Sequence, residues 1–192
     1  MDACPLTISL AVLHAILAPD THLAATAPGY DADLDALLER IVYVESKGDR
    51  FAVNRDEDAI GLDQIRPIYM DDANRLAHQF GLPMGFRQAD VLRTRYTRPD
   101  RLDPKASRQM VCIVLAHYAT GWVQAGNAGG WRATPTVASG NGTVPAEVLA
   151  RIHNGGPEWS RKPATVTYWT KIRTADPEDV AASTVRATPK RP

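Results

Sequence analysis

Cysteine, net charge, clustered metal ligands and long apolar runs are all scarce in this chain, and each scarcity closes off a class of protein. Only two cysteines occur, Cys4 and Cys112. If the start of the chain is removed, Cys112 stands alone and no intramolecular disulfide is available. Cys112 falls in the apolar run Met110-Val111-Cys112-Ile113-Val114-Leu115, the setting of a buried, inert thiol. Lys plus Arg and Asp plus Glu each number 22, so the basic footprint of a nucleic-acid partner is missing. Without residues 1–27, which carry Asp2 and Asp20 and no Lys or Arg, 22 basic residues face 20 acidic ones and the charge is only +2. The five histidines (His14, His22, His78, His117 and His153) are scattered and no two share ligand spacing, so neither a metal nor another cofactor is expected. No internal repeat occurs, and no strand pattern is strong enough for a sizeable sheet.

What is present fits one domain of ordinary size: 192 residues suffice for a core without staples. The first apolar run, Leu6 to Ala18, has the length of a signal-peptide core and is too short to span a bilayer. Pro19 breaks it, and Ala25-Thr26-Ala27 offers a small-residue cleavage site before Pro28. The signal is atypical, since no Lys or Arg precedes the run and His14 lies within it. Residues 1–27 are therefore read as a signal peptide of an exported chain, against the alternative of an apolar N-terminal helix packed on the domain. No stable membrane insertion is expected, and the chain is read as a monomer.

The helix pattern Asp33 to Gly48 holds the most informative residue. Leu34, Leu37, Leu38 and Ile41 follow the 3, 1, 3 spacing of one helical face. Four residues further on, the same face presents Glu45. A carboxylate there is partly desolvated and near the negative end of the helix dipole, and both effects oppose its charged form. The expectation is a raised pKa, as a general acid near neutral pH requires. The alternative is a glutamate that reaches solvent from the last turn.

Three further blocks follow in order. Glu45-Ser46-Lys47-Gly48 leads to Gly61-Leu62-Asp63-Gln64-Ile65, then to His153-Asn154-Gly155-Gly156, then to Thr167-Tyr168-Trp169. In order and approximate spacing these blocks resemble the soluble lytic transglycosylases, the goose-type lysozyme-like family, over roughly residues 34–173. The resemblance implies a lysozyme-like fold, mainly α with a minimal irregular β-hairpin, spanning residues 28–175. It implies an enzyme that cleaves the β-1,4 bond between N-acetylmuramic acid and N-acetylglucosamine in peptidoglycan glycan strands. Glu45 would be its single acid/base, and the products would carry 1,6-anhydro ends. Ser46, Gln64, Asn154 and Tyr168 would bind substrate. Export suits such a role, because a wall-cleaving enzyme has to reach its polymer.

The chain departs from the family pattern in two blocks. Asp63 replaces a Met, which adds a carboxylate near the expected cleft, and His153 precedes the Asn where relatives carry Tyr or Ala. Asp63 makes a goose-type hydrolase the second reading, since an inverting mechanism needs a base about 6.5–9.5 Å from the acid. A non-catalytic glycan-binding module is the third.

The remaining pattern is organised by punctuation. Asp31 or Asp33 can cap the Glu45 helix. Residues 50–65 suit a loop or small hairpin, and Pro67 opens a helix to about Phe80. Residues 86–103 read as a short helix and turns. Lys105 to about Tyr118 reads as the central core helix. Gly121 to Asn141 reads as a long loop whose Trp122 and Trp131 could stack on sugar rings or pack at the rim. Thr143 can cap a helix that ends at His153–Pro157, and Pro163 starts a last helix to about Arg173. Residues 176–192, with three prolines and no apolar period, read as a disordered tail.

Overall fold

The apolar stripe of the Glu45 helix is the inner wall of the molecule: Leu34, Leu37, Leu38 and Ile41 are all at most 3 % exposed. The computed structural model describes residues 7–9, 32–79, 87–88, 91–92, 95–124 and 143–187. Over these residues the chain is mainly α-helical, with small two-stranded antiparallel pairs.

Of the expected signal peptide only β1 (Thr7–Ser9) is described; the rest of residues 1–27 lies outside the described residues. Helix α1 (Ala32–Ser46) follows. Asp33 falls inside it rather than at the cap, and Asp31 lies outside the described residues. Helix α1 stops where Lys47 and Gly48 take the left-handed φ values of 55° and 78°. Strands β2 (Val53–Asn54) and β3 (Ala59–Ile60) then form the expected small hairpin, Val53 opposite Ile60. Pro67 opens α2 (Pro67–Gln79) as its missing N–H allows. Residues 86–103 hold the expected short helix as a 3₁₀ segment and add a strand pair that was not expected. Strands β4 (Arg87–Gln88) and β5 (Val91–Leu92) pair there, and a 3₁₀ segment, Arg98–Leu102, follows.

Helix α3 (Pro104–Gln124) is the centre of the core, with every residue from Met110 to Ala116 at most 1 % exposed. It runs past Tyr118 through Gly121, where a loop was expected, because Ala119 and Thr120 are also buried. Tertiary burial here overrides the weak helix propensity of Thr and Gly. Trp131 and the rest of the expected loop from 125 onward lie outside the described residues. Thr143 does not cap a helix: strand β6 (Thr143–Pro145) pairs antiparallel with β1. Pro145, held at φ −60°, takes the N-cap position of α4 (Ala146–Gly155). A 3₁₀ segment, Gly156–Arg161, leads to α5 (Pro163–Arg173), which has the expected bounds.

The expected tail is corrected over most of its length, since Pro177–Ala187 is a helix, α6. Pro177 with Glu178 and Asp179 gives it a favourable first turn. Val180 and Ser183 are buried, and Tyr43 donates a 2.9 Å hydrogen bond to Asp179. A sequence with so short an apolar period is stabilised by packing more than by its own propensity. Arg40 donates from α1 to the carbonyls of Ile172 and Ala175, so α1 also closes the C-terminal end of α5. Among the described residues, no helix is long and apolar enough to cross a membrane.

Two outcomes test this arrangement. A Cβ at Gly48 would lie 2.2 Å from the carbonyl oxygen of Ser183, so Gly48→Ala combines left-handed strain with overpacking against α6. It is expected to lose about 2 kcal/mol or more in denaturant unfolding; a loss under about 0.5 kcal/mol would show that α6 does not seat on this turn. His117 is buried in α3, and burial, then the Arg75 charge, push its pKa down to about 4. Above about pH 6.5 the imidazole is neutral in both folded and unfolded chains. As pH falls from there towards 4, only the unfolded chain gains the proton, so stability drops across that window. The unfolding midpoint of His117→Gln is expected to vary less between pH 6.5 and 4 than that of the wild type.

Candidate functional site

The C-terminus of α1, the β2–β3 hairpin, the start of α2 and the end of α4 enclose a cleft of about 390 Å³. Glu45, Ser46, Gln64 and Asn154, four of the five residues expected to serve the site, line it together with Glu57, Arg66, Tyr69 and His153. Glu45 reaches the cleft because α1 ends one residue later, and its side chain is 19 % exposed. That places it between the buried stripe of α1 and the opening.

The other expected residues are held as follows. Ser46 is buried, and its Oγ donates 3.1 Å back to the carbonyl of Val42, so its proton is engaged within the helix. Gln64 adopts φ 46°, and its Nε2 donates to the carbonyls of Ala52 (3.1 Å) and Gly61 (2.9 Å). Its amide nitrogen therefore ties the loop to the hairpin, and its carbonyl oxygen is left to meet a ligand. The backbone carbonyl of Asn154 accepts from Arg66 at 3.1 Å, which pins the end of α4 to the start of α2. Tyr168 is buried on α5 behind the cleft wall. Its hydroxyl meets no partner at full hydrogen-bond geometry, yet it lies close to Glu45. Burial first, and then the charge and hydrogen-bonding approach of Glu45, hold its phenol well above the ordinary range.

Asp63 is the exception. It is 1 % exposed, does not line the cleft, and accepts a 2.7 Å hydrogen bond from Ser107 of α3. The expected second carboxylate is thus corrected to a buried structural group. It stands where a larger apolar side chain is expected, and the Ser107 hydroxyl is what lets a polar one sit there. Cys112 is also buried, and burial pushes its thiol up to about 12.

Two residues of the site escape the sequence reading. Glu57 lines the cleft from the hairpin turn, more than half exposed and 3.7 Å from the Arg66 guanidinium. It comes from the run Asn54-Arg55-Asp56-Glu57-Asp58, where only the fold shows which acid faces inward. His153 is 4 % exposed and 3.6 Å through Nε2 from Glu45 Oε1. Its Nδ1 lies 3.3 Å from the Tyr69 hydroxyl, and its ring is tilted towards Tyr168. Its departure from the block pattern was the available signal. Glu45, His153, Tyr69 and Tyr168 form one largely buried polar cluster in which Glu45 is the most exposed member.

Compared with protein-family models, curated proteins and solved structures, the chain matches none.

The role of Asp63 is open to a direct check. Asp63→Asn keeps an acceptor for Ser107 and is expected to retain whatever activity the wild type shows, within about threefold, whereas Asp63→Ala is expected to lose about 1–3 kcal/mol of stability. A stable Asp63→Asn protein without activity would restore Asp63 as a chemical carboxylate.

Proposed function

We propose that this chain is a lysozyme-like lytic transglycosylase that cleaves peptidoglycan with Glu45 as its single acid/base. The observation that carries this reading is the setting of Glu45. It is a carboxyl at the end of a buried helical face, 19 % exposed and lining a cleft of sugar-accommodating size with Ser46, Gln64 and Asn154, while the other acid of the lining, Glu57, is paired with Arg66.

In its role as the acid, Glu45 gives a proton to the glycosidic oxygen between N-acetylmuramic acid and N-acetylglucosamine. The bond breaks and positive charge develops at C1 of the muramic acid residue, where the substrate's own acetamido group stabilises it. Glu45, now a carboxylate, takes the proton of the C6 hydroxyl as O6 closes on C1. The carboxyl is regenerated and no water enters. A site of this kind needs one acid that can be both charged and neutral in turn, and partial burial serves both states better than full exposure. Gln64 and Asn154 supply neutral groups for sugar hydroxyls and amides. Tyr168 supports Glu45 from behind. Export of the mature chain, working as a monomer on glycan strands outside the cytoplasm, belongs to the same proposal.

The hydrolase reading now rests on Glu57, which shares the cleft with Glu45. Its carboxylate stands 3.7 Å from the Arg66 guanidinium on the same cleft.

Mass spectrometry of purified peptidoglycan digests separates these readings. The wild type is expected to release products ending in 1,6-anhydro-N-acetylmuramic acid, and Glu45→Gln to reduce them by about 10²-fold or more. Glu57→Gln is expected to leave them within a few-fold. Reducing-end products one water heavier, lost in Glu57→Gln, would replace the transglycosylase with a hydrolase. A folded wild type that releases nothing soluble from several wall chemistries would leave a glycan-binding module.

A further inference from the structure

His153 carries a buried imidazole between a phenol and the candidate acid, and the hydrogen-bond polarity of that chain can be worked out. The Tyr69 hydroxyl is buried, and burial foremost pushes its phenol well above the ordinary range, so it keeps its proton. Among the described residues its hydrogen-bond partner is His153 Nδ1, 3.3 Å away. If Nδ1 carried a hydrogen, the phenolic proton would have no protein acceptor among the described residues. With Tyr69 donating, Nδ1 is a bare acceptor, and a neutral imidazole then has its hydrogen on Nε2. Nε2 faces Glu45 Oε1 at 3.6 Å. That is long for a hydrogen bond, but such contacts commonly tighten when substrate is bound.

We propose that Tyr69 and His153 form a directional chain, Tyr69 O–H to Nδ1 and Nε2–H to Glu45 Oε1, which places the acid proton of Glu45 on Oε2. His153 is then a positioning residue that donates a hydrogen bond and transfers no proton. This rests on Glu45 being the acid of the reaction. In the first step the Oε2 proton goes to the glycosidic oxygen, and the carboxylate left behind keeps the Nε2–H on Oε1. In the second step the C6 hydroxyl proton returns to Oε2.

Tyr168 approaches the ring from α5, and Arg66 holds the carbonyl of the neighbouring Asn154, so the ring is fixed from both sides of the chain.

The test begins with the resting protein. Long-range ¹H–¹⁵N spectra of histidine-labelled wild type, with His153 assigned by its loss in His153→Gln, are expected to show the Nε2–H tautomer for the neutral ring. Tyr69→Phe is expected to admit the Nδ1–H tautomer beside it. An Nδ1–H tautomer in the wild type overturns the proposal whatever the activity proves to be. Turnover supplies the second readout. His153→Ala is expected to lose about 10²-fold in kcat, with KM within about threefold. His153→Gln, whose amide can accept from Tyr69 and donate to Glu45, is expected to recover most of that loss and to broaden the acid limb of the pH profile. Equal turnover and equal pH profiles for His153→Ala and wild type would also overturn it. Absence of any anhydro product from the wild type, with the expected tautomer observed, would overturn the proposed reaction and leave the hydrogen-bond chain standing.

Discussion

One buried cation holds up the hairpin side of the cleft. Arg101, 1 % exposed in the 3₁₀ segment before α3, donates to the carbonyls of Asp58 (2.6 Å) and Ile65 (2.8 Å), and its guanidinium lies 3.5 Å from the Asp58 carboxylate. A two-residue strand pair has almost no stability of its own in water. The β2–β3 turn and the Gly61–Ile65 loop are therefore shaped by what they are tied to. The tie is tight in both directions: a Cβ on Gly61, which sits at φ 84°, would meet the Arg101 carbonyl oxygen at 2.1 Å. Removing the guanidinium would take the Asp58 carbonyl's donor and leave the Ile65 carbonyl only its 3.4 Å bond from the Ile60 N–H, and removing Asp58 would leave a buried charge half-paired. Gln64 and Glu57 reach the cleft only because this bracket holds, with Gln64 adding two further bonds across the same loop.

The opposite wall depends on the end of α1. The helix has to stop directly after Glu45 and Ser46 for the carboxyl to leave the core, and the left-handed pair Lys47–Gly48 makes it stop. The backbone of Ser183 on α6 presses against that turn, so the last described helix braces the first. Between the two walls, the Arg66 bond to Asn154 and the Lys162 bond to Gly155 fix where α4 ends and hence where His153 points. The cleft is thus a junction of element ends, each terminated by a different device, and the polar groups it gathers are end-of-helix and turn residues.

That construction explains what could be read from the sequence. Helices α1, α2 and α5 were readable because a sharp apolar stripe or an initial proline marks them, and Glu45 stood out as a charged residue in an apolar position. Gln64 and Asn154 were reachable through the resemblance and do line the cleft with Glu45. Helix α6 and strand β6 were missed because Val180, Ser183 and Val144 are buried by packing against distant segments, with little local pattern to announce it. The same non-locality hid His153 and Glu57. His153 and Glu45 are more than a hundred positions apart, and only the fold brings them within 3.6 Å. Asp63 shows the reverse error: nearness in sequence to a cleft residue suggested exposure, while the alternation of the loop turned Gln64 outward and Asp63 inward to Ser107.

The three carboxylates of this region show how environment divides chemically equal groups. Asp63 is enclosed, with Oδ2 held by the Ser107 hydroxyl and Oδ1 buried without a partner among the described residues, and its field reaches Tyr69 and Tyr168. Glu57 is more than half exposed and lies 3.7 Å from the Arg66 guanidinium. Glu45 alone stands between, with apolar residues behind it, an opening in front and a neutral hydrogen-bond chain at its side. An acid that must release a proton and recover it within one turnover needs both of its states to be accessible. Full burial would lock it neutral and full pairing would lock it charged. Beside Glu45 the fold sets an imidazole 3.6 Å away whose far nitrogen lies 3.3 Å from a phenol, so the polar neighbour of the carboxyl is held by packing rather than by solvent.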